Sequence, residues 1–183
     1  MCIRDRLKPF VRSLWGAIAK DMPRPQANLV FVKQIRPALV WLQRFARGCH
    51  GGLVREHRLC ARWAEGVVIQ TDASLWGGGA IFWHTYSGYL RDDPPDEYIA
   101  LAWNKNHGVF LGVLPGDEAG QATFEAYMML EAIVCWITED TLGRILLVGD
   151  AEGVLFGLTR FSAKAQIINE IAKEIALHLA PFG

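Results

Sequence analysis

Two stretches of this sequence end an apolar run on an aspartate. Val67-Val68-Ile69-Gln70-Thr71 delivers Asp72, and Ile145-Leu146-Leu147-Val148-Gly149 delivers Asp150. A carboxylate at the end of a buried strand is costly to leave unpaired. A hydrogen-bond network or a metal ion would compensate it. For Asp72, an Asx turn closing a hairpin is an equally good account. A third acid, Glu125, falls in the first turn of a helical stretch. There it is either a partner of the helix dipole or a metal ligand presented beside Asp72.

The elements that position these acids follow from periodicity. Residues 66–83 read as a strand, a tight turn and a second strand. Gly77, Gly78 and Gly79 are expected to supply the positive φ that reverses the chain. Arg91-Asp92-Asp93-Pro94-Pro95-Asp96-Glu97 is a polar loop, and its four acids read as a solvated turn. Residues 98–103 read as a third strand. Residues 104–120 form a long connection, with 109–114 as a short extra strand. From Gln121 the apolar period becomes helical and runs to about Gly143, with Phe124, Met128, Ala132 and Cys135 in register. Glu131 is the competing acid there, six residues on from Glu125 and pointing to another side. The run 144–150 is continuously apolar, as in a strand buried on both faces. A short helix over 151–158 follows, then a long amphipathic helix over 162–180. Its N-cap is Ser162, and its stripe is Ile167, Ile168, Ile171, Ile175 and Leu179.

The N-terminal part differs. Residues 7–20 read as one helix and residues 28–47 as a second, interrupted by Pro37, with Ile35, Leu39, Leu42 and Phe45 on its apolar face. Residues 53–65 are a basic connector. The formal net charge of zero hides an asymmetry between halves. Residues 1–65 hold 13 Lys and Arg against 4 Asp and Glu, and residues 66–183 hold 6 against 15. Such a split points toward nucleic acid, with the basic part on phosphates. Two halves attracting each other would leave the same signature.

The 183 residues, 51% hydrophobic, suffice for one medium domain with an attached segment. No apolar run approaches the ~20 residues of a membrane span. Cys2, Cys49, Cys60 and Cys135 have no disulfide-framework spacing, so a reducing, intracellular compartment is expected. Cys49, His50, His57 and Cys60 have zinc-ligand types but match no common zinc spacing, so zinc is not expected. A codon choice for Met1-Cys2-Ile3-Arg4-Asp5-Arg6 resembles a transposon end used in sequencing-library preparation. Residues 1–6 are therefore set aside from the fold as a sequencing artefact.

Thr71-Asp72-Ala73-Ser74 followed by Gly77-Gly78-Gly79-Ala80 resembles the first two strands of the ribonuclease H domain of retrotransposon reverse transcriptases. The resemblance extends over about the last two thirds of the chain. Glu125-Ala126 with Leu130, Ala132 and Trp136 is similar to that family's helix bearing the catalytic glutamate. Asp150 stands where the family carries its third carboxylate. The basic helical segment 1–65 is similar in position and charge to the region between polymerase and ribonuclease H; a helical cap on the next domain fits it equally well. The family pattern continues with one more strand and a fourth acid, so the chain reads as truncated before its last strand.

The resemblance implies an α/β fold, a ribonuclease H-like mixed sheet flanked by helices. In it a three-strand antiparallel meander is followed by a parallel strand, over an incomplete domain at 66–183. It implies that Asp72, Glu125 and Asp150 converge at the end of one sheet. Clustered carboxylates repel one another, so such a site makes sense with cations between them. Oxygen ligands select magnesium or manganese. Two ions ~4 Å apart would serve phosphodiester hydrolysis. The implied substrate is the RNA strand of an RNA–DNA hybrid, met by Ala73, Ser74, Leu75 and Trp76. The implied partner is the remainder of a reverse transcriptase polyprotein. Two other readings compete: a non-catalytic nucleic-acid-binding remnant of the fold, and a kinase-like domain holding nucleotide phosphates on its aspartate–glycine hairpin. An integrase-like polynucleotide transferase is a variant of the first.

Overall fold

Strand formation begins where the β-branched run does. In the computed structural model, which describes residues 11, 14–16, 29–47, 66–138, 141, 144–160, 163 and 165–180, the first strand is β1, Gly66–Ala73. The remaining elements, in chain order after helix α1 (Val32–Ala46), are β2 (Gly77–Trp83), α2 (Tyr86–Leu90), β3 (Glu97–Ala102), α3 (Lys105–Leu111), a 3₁₀ turn (Glu118–Gly120), α4 (Gln121–Trp136), β4 (Arg144–Val148), α5 (Glu152–Thr159) and α6 (Gln166–His178). The fold is α/β. Its four-stranded sheet has the order β3-β2-β1-β4. β1, β2 and β3 are antiparallel neighbours, and β4 runs parallel to β1.

Register decides which side chains face the helices. Ile69 pairs with Phe82, Thr71 with Ala80 and Ala73 with Gly78 across β1 and β2, and Ile69 pairs with Leu147 across β1 and β4. This face carries the core, packed against α4, with α6 behind it through Ile168, Ile171 and Ile175. Aromatic pairs fix the contact: Phe82 stacks on Trp136 with centroids 5.1 Å apart, and Trp103 on Phe124 at 5.4 Å. The alternate residues Gln70 and Asp72 face away and are exposed. α4 is buried around most of its circumference, as a helix between a sheet and other helices must be.

The three glycines after Trp76 do not make the turn. Among described glycines only Gly112 and Gly116 have positive φ. Ser74 closes the β1–β2 turn instead. Its N–H donates to the Gly77 carbonyl at 2.7 Å, and its hydroxyl accepts from the N–H groups of Trp76 and Gly77. The glycines already belong to β2, and at Gly78 the reason is space. A Cβ there would stand 2.8 Å from Met128 Sδ and 2.9 Å from the Trp103 ring. Met128 can yield, but the buried Trp103 indole is fixed by a 2.8 Å bond from its Nε1 to the Ser74 carbonyl. Gly78→Val is therefore expected to lower stability by about 1–3 kcal/mol, the usual cost of overpacking, read as a lower urea midpoint at unchanged slope.

Other expectations are corrected. Residues 109–114 are not a strand. α3 begins on Asn104, whose side chain accepts from the N–H of Asn106 and His107, while His107 Nδ1 accepts from the Asn104 N–H. It ends on Gly112, at φ 69. Residues 86–90, unassigned from the sequence and preceding the 91–97 loop, form α2, capped by Thr85. β3 starts one residue early, at Glu97. α4 stops at Trp136, well short of Gly143, because Ile137 turns extended and Thr141 Oγ1 bonds the Trp136 carbonyl and the Thr138 N–H. Among the described residues β4 lies at the end of the sheet and is not buried on both faces, with Arg144 and Leu146 exposed. α6 starts at Gln166, where Asn169 bonds Ala163 and Ala165; Ser162 lies outside the described residues.

α1 is continuous through Pro37, which lacks the N–H that would bond the carbonyl four residues back. Its inward face is Ala38, Trp41 and Leu42, whereas Leu39 is exposed. Arg44 lies over the Trp41 ring and reaches Glu174 of α6 at 3.7 Å. The described part of the expected 7–20 helix, residues 11 and 14–16, is helical. Cys49, His50, His57 and Cys60 lie outside the described residues. No described helix is long and apolar enough to cross a membrane.

Candidate metal centre

Asp72 is the seventh residue of β1, on the sheet face turned away from α4. Asp150 follows β4, which lies parallel to β1 with Val148 paired to Gln70. The two aspartates thus leave neighbouring strands at the same end of the sheet. Glu125 enters from α4. One oxygen from each of the three carboxylates lies within 4.8 Å of the others. The cluster could hold a metal ion. Among the described residues no fourth acid joins it, Glu152 included.

Glu125 is the member whose environment says most. It is the fifth residue of α4, not in the first turn, so the helix dipole does not account for it. It is 2% exposed. Its Oε1 accepts from the Ala73 N–H at 3.2 Å and from Gln121 Nε2 at 3.0 Å. Its Oε2 is buried with no hydrogen-bond partner among the described residues. A buried, unsatisfied carboxylate oxygen beside two further carboxylates is expensive. Burial pushes the Glu125 carboxyl above its usual range, and the Asp150 and Asp72 charges push it further. The Ala73 and Gln121 hydrogen bonds offset part of this. A cation among the three would reverse the balance, and the donor set is all oxygen.

Gln121 was not singled out from the sequence. Its Nε2 donates both to the Ala73 carbonyl and to Glu125 Oε1, tying α4 to the end of β1. The available signal is spacing: Gln121 stands four residues before Glu125, on the same helix face. Gln121→Leu keeps the volume and removes the tie. It is expected to reduce metal affinity by roughly 10–100-fold, the range for residues that orient ligands, checked by calorimetric titration.

Gly149 sets the path into Asp150. A Cβ there would come within 2.9 Å of Met129 Cε. Glu131, the competing acid, belongs elsewhere: with burial, its carboxylate raises the Tyr127 phenol above its usual range. The acidic loop 91–97 is also apart from the centre. Asp96 accepts from the His84 N–H at 2.6 Å, which holds its carboxyl low, and Glu97 accepts from Trp136 Nε1 at 2.9 Å. Those two acids are more firmly anchored than a solvated turn implies.

The four residues expected to meet nucleic acid fall into two kinds. Ala73 is buried, with its N–H and carbonyl both bonded inside the protein. Ser74 and Trp76 are exposed, and Leu75 is half-buried. Cys135, on α4 ten residues after Glu125, is a free, exposed thiol. Comparison with protein-family models, with curated proteins and with solved structures returns no match.

Proposed function

We propose that this chain is a metal-dependent nuclease domain that hydrolyses the RNA strand of an RNA–DNA hybrid, as part of a retroelement reverse transcriptase. The observation that carries the reading is the meeting of Asp72, Glu125 and Asp150 within 4.8 Å, with Glu125 Oε2 buried and unpartnered. Among the described residues the three carboxylates make no ion pair, which favours a site built for a bound cation over a decayed remnant. The strand order β3-β2-β1-β4, with a parallel last strand, supports a ribonuclease H-like arrangement.

Two magnesium or manganese ions, when bound, would supply water activation and stabilisation of the leaving oxygen. The chain's own residues do the positioning. The Ala73 N–H and Gln121 fix Glu125 Oε1, which leaves Oε2 as the ligand atom. Asp72 and Asp150 are exposed and offer an oxygen each from the open side, where a phosphodiester can approach. Preference for RNA would come from contacts to the 2′-hydroxyl. With Ala73 sealed, substrate contacts in this turn fall to Ser74, Leu75 and Trp76.

The test is cleavage of an RNA–DNA hybrid labelled on each strand, with magnesium or manganese. Cutting of the RNA strand alone, stopped by chelation, is the expected result. Cutting of both strands, or none, contradicts it.

A further inference from the structure

The charge around the carboxylates leaves nucleic-acid affinity to be explained. From residue 66 onward the chain carries 6 Lys and Arg against 15 Asp and Glu. Of these cations, Lys173 is buried against Glu170, and Arg160 lies over the Phe156 ring. Phosphate neutralisation by this part of the chain is therefore weak; the cations of residues 1–65 are the ones available for phosphates, and near the three acids an attraction that needs no cation is favoured.

In the turn that follows Asp72 and Ala73 stands an exposed indole. Trp76 follows Asp72 by four residues, and 69% of its surface is open to solvent. It is also rigidly presented. Its N–H donates to Ser74 Oγ at 3.3 Å, and its carbonyl accepts from the Trp103 N–H at 2.9 Å. One edge of the ring rests on Gly116, where a Cβ would come within 2.6 Å of it. Gly116 is at φ 88, and its N–H bonds the Leu75 carbonyl at 2.9 Å. The turn and the loop are thus latched together under the ring. Leu114, two residues before Gly116, is also exposed, at 69%.

Resting on the nuclease reading above, we propose that Trp76 is a stacking platform for an unpaired nucleobase in a single-stranded extension of the substrate. Every base offers a π-face, so an aromatic ring attracts it without sequence preference and without cations. Inside a duplex both faces of a base are covered by its neighbours. The occupant is therefore a base in a single-stranded extension.

The experiment measures binding of two labelled RNA–DNA hybrids by fluorescence anisotropy. One is blunt and one has a short single-stranded extension, and calcium replaces magnesium so that both stay intact. The wild-type chain is compared with Trp76→Ala and Trp76→Phe at several salt concentrations, with thermal melts of each. Trp76→Ala is expected to weaken binding of the extended hybrid about tenfold or more and that of the blunt one much less. Trp76→Phe restores most of the loss. The salt dependence stays the same in all three, because no phosphate contact is removed. Equal affinity of Trp76→Ala and wild type for the extended hybrid overturns the proposal and leaves the nuclease reading standing; a partner protein's apolar surface is then the better occupant. Equal loss on both hybrids overturns the unpaired base. Failure of the wild-type chain to bind either hybrid overturns the nuclease reading and the stacking site with it.

Discussion

Asp72→Asn is expected to lower cleavage of the RNA strand by about a thousandfold or more while leaving the fold intact. The scale follows from removing several kcal/mol of charge stabilisation at the reacting phosphate, at about 1.4 kcal/mol per tenfold in rate. The second half follows from position. Asp72 is exposed and its side chain makes no hydrogen bond among the described residues, so nothing structural is lost. Asn fills the same space and removes one of three mutually repelling charges. Single-turnover rates at saturating metal, with a thermal melt of each protein, separate the two effects. A variant that is slow and also unfolded contradicts this assignment of Asp72.

Glu125→Gln is expected to do the opposite to stability. The buried, unpartnered Oε2 becomes an amide nitrogen that can donate to Asp72 or Asp150, and Oε1 can still accept from Ala73 and Gln121. Relief of an unsatisfied buried group is worth about 1–3 kcal/mol, which raises the metal-free Tm by several degrees at ~2–4 °C per kcal/mol. Activity is lost with the ligand. The pH dependence has a defined sign. The folded state holds the Glu125 proton more tightly than the unfolded chain, by burial first and by Asp150 and Asp72 after it. The metal-free protein therefore binds more protons folded than unfolded in the window above the ordinary glutamate value. There this group's contribution to stability falls as pH rises. Glu174 is raised by burial in the same direction, so the wild-type curve alone does not isolate Glu125. The difference between wild-type and Glu125→Gln melts across pH 4–7 does. It should widen in the variant's favour as pH rises, and close when magnesium is added.

What the sequence shows of this molecule depends on whether the cause is local. β1 and β4 are legible because each is a run of β-formers, and their aspartates stand out as the polar ends of those runs. The meeting of the two aspartates follows from parallel pairing, which the resemblance supplied. The glycines of β2 were misread because their cause is distant. Gly78 makes room for Met128, 50 residues on, and Trp103, 25 residues on. α3 was legible but passed over: Asn104, His107 and Gly112 are an ordinary start and stop. The end of α4 depends on Thr141 folding back on Trp136, a loop detail that helix propensity does not carry. Gln121 is the clearest loss, since a glutamine in a helix becomes informative only once Ala73 is beside it.

The central claim is that the three carboxylates form a cation site, and the most direct measurement is titration of manganese into the metal-free chain, followed by electron paramagnetic resonance. The account predicts saturable binding by the wild-type chain, markedly weakened in each of Asp72→Asn, Glu125→Gln and Asp150→Asn and unchanged in an Asp92→Asn/Asp93→Asn control on the acidic loop. Binding that survives all three single changes, or that disappears only in the loop control, would contradict it.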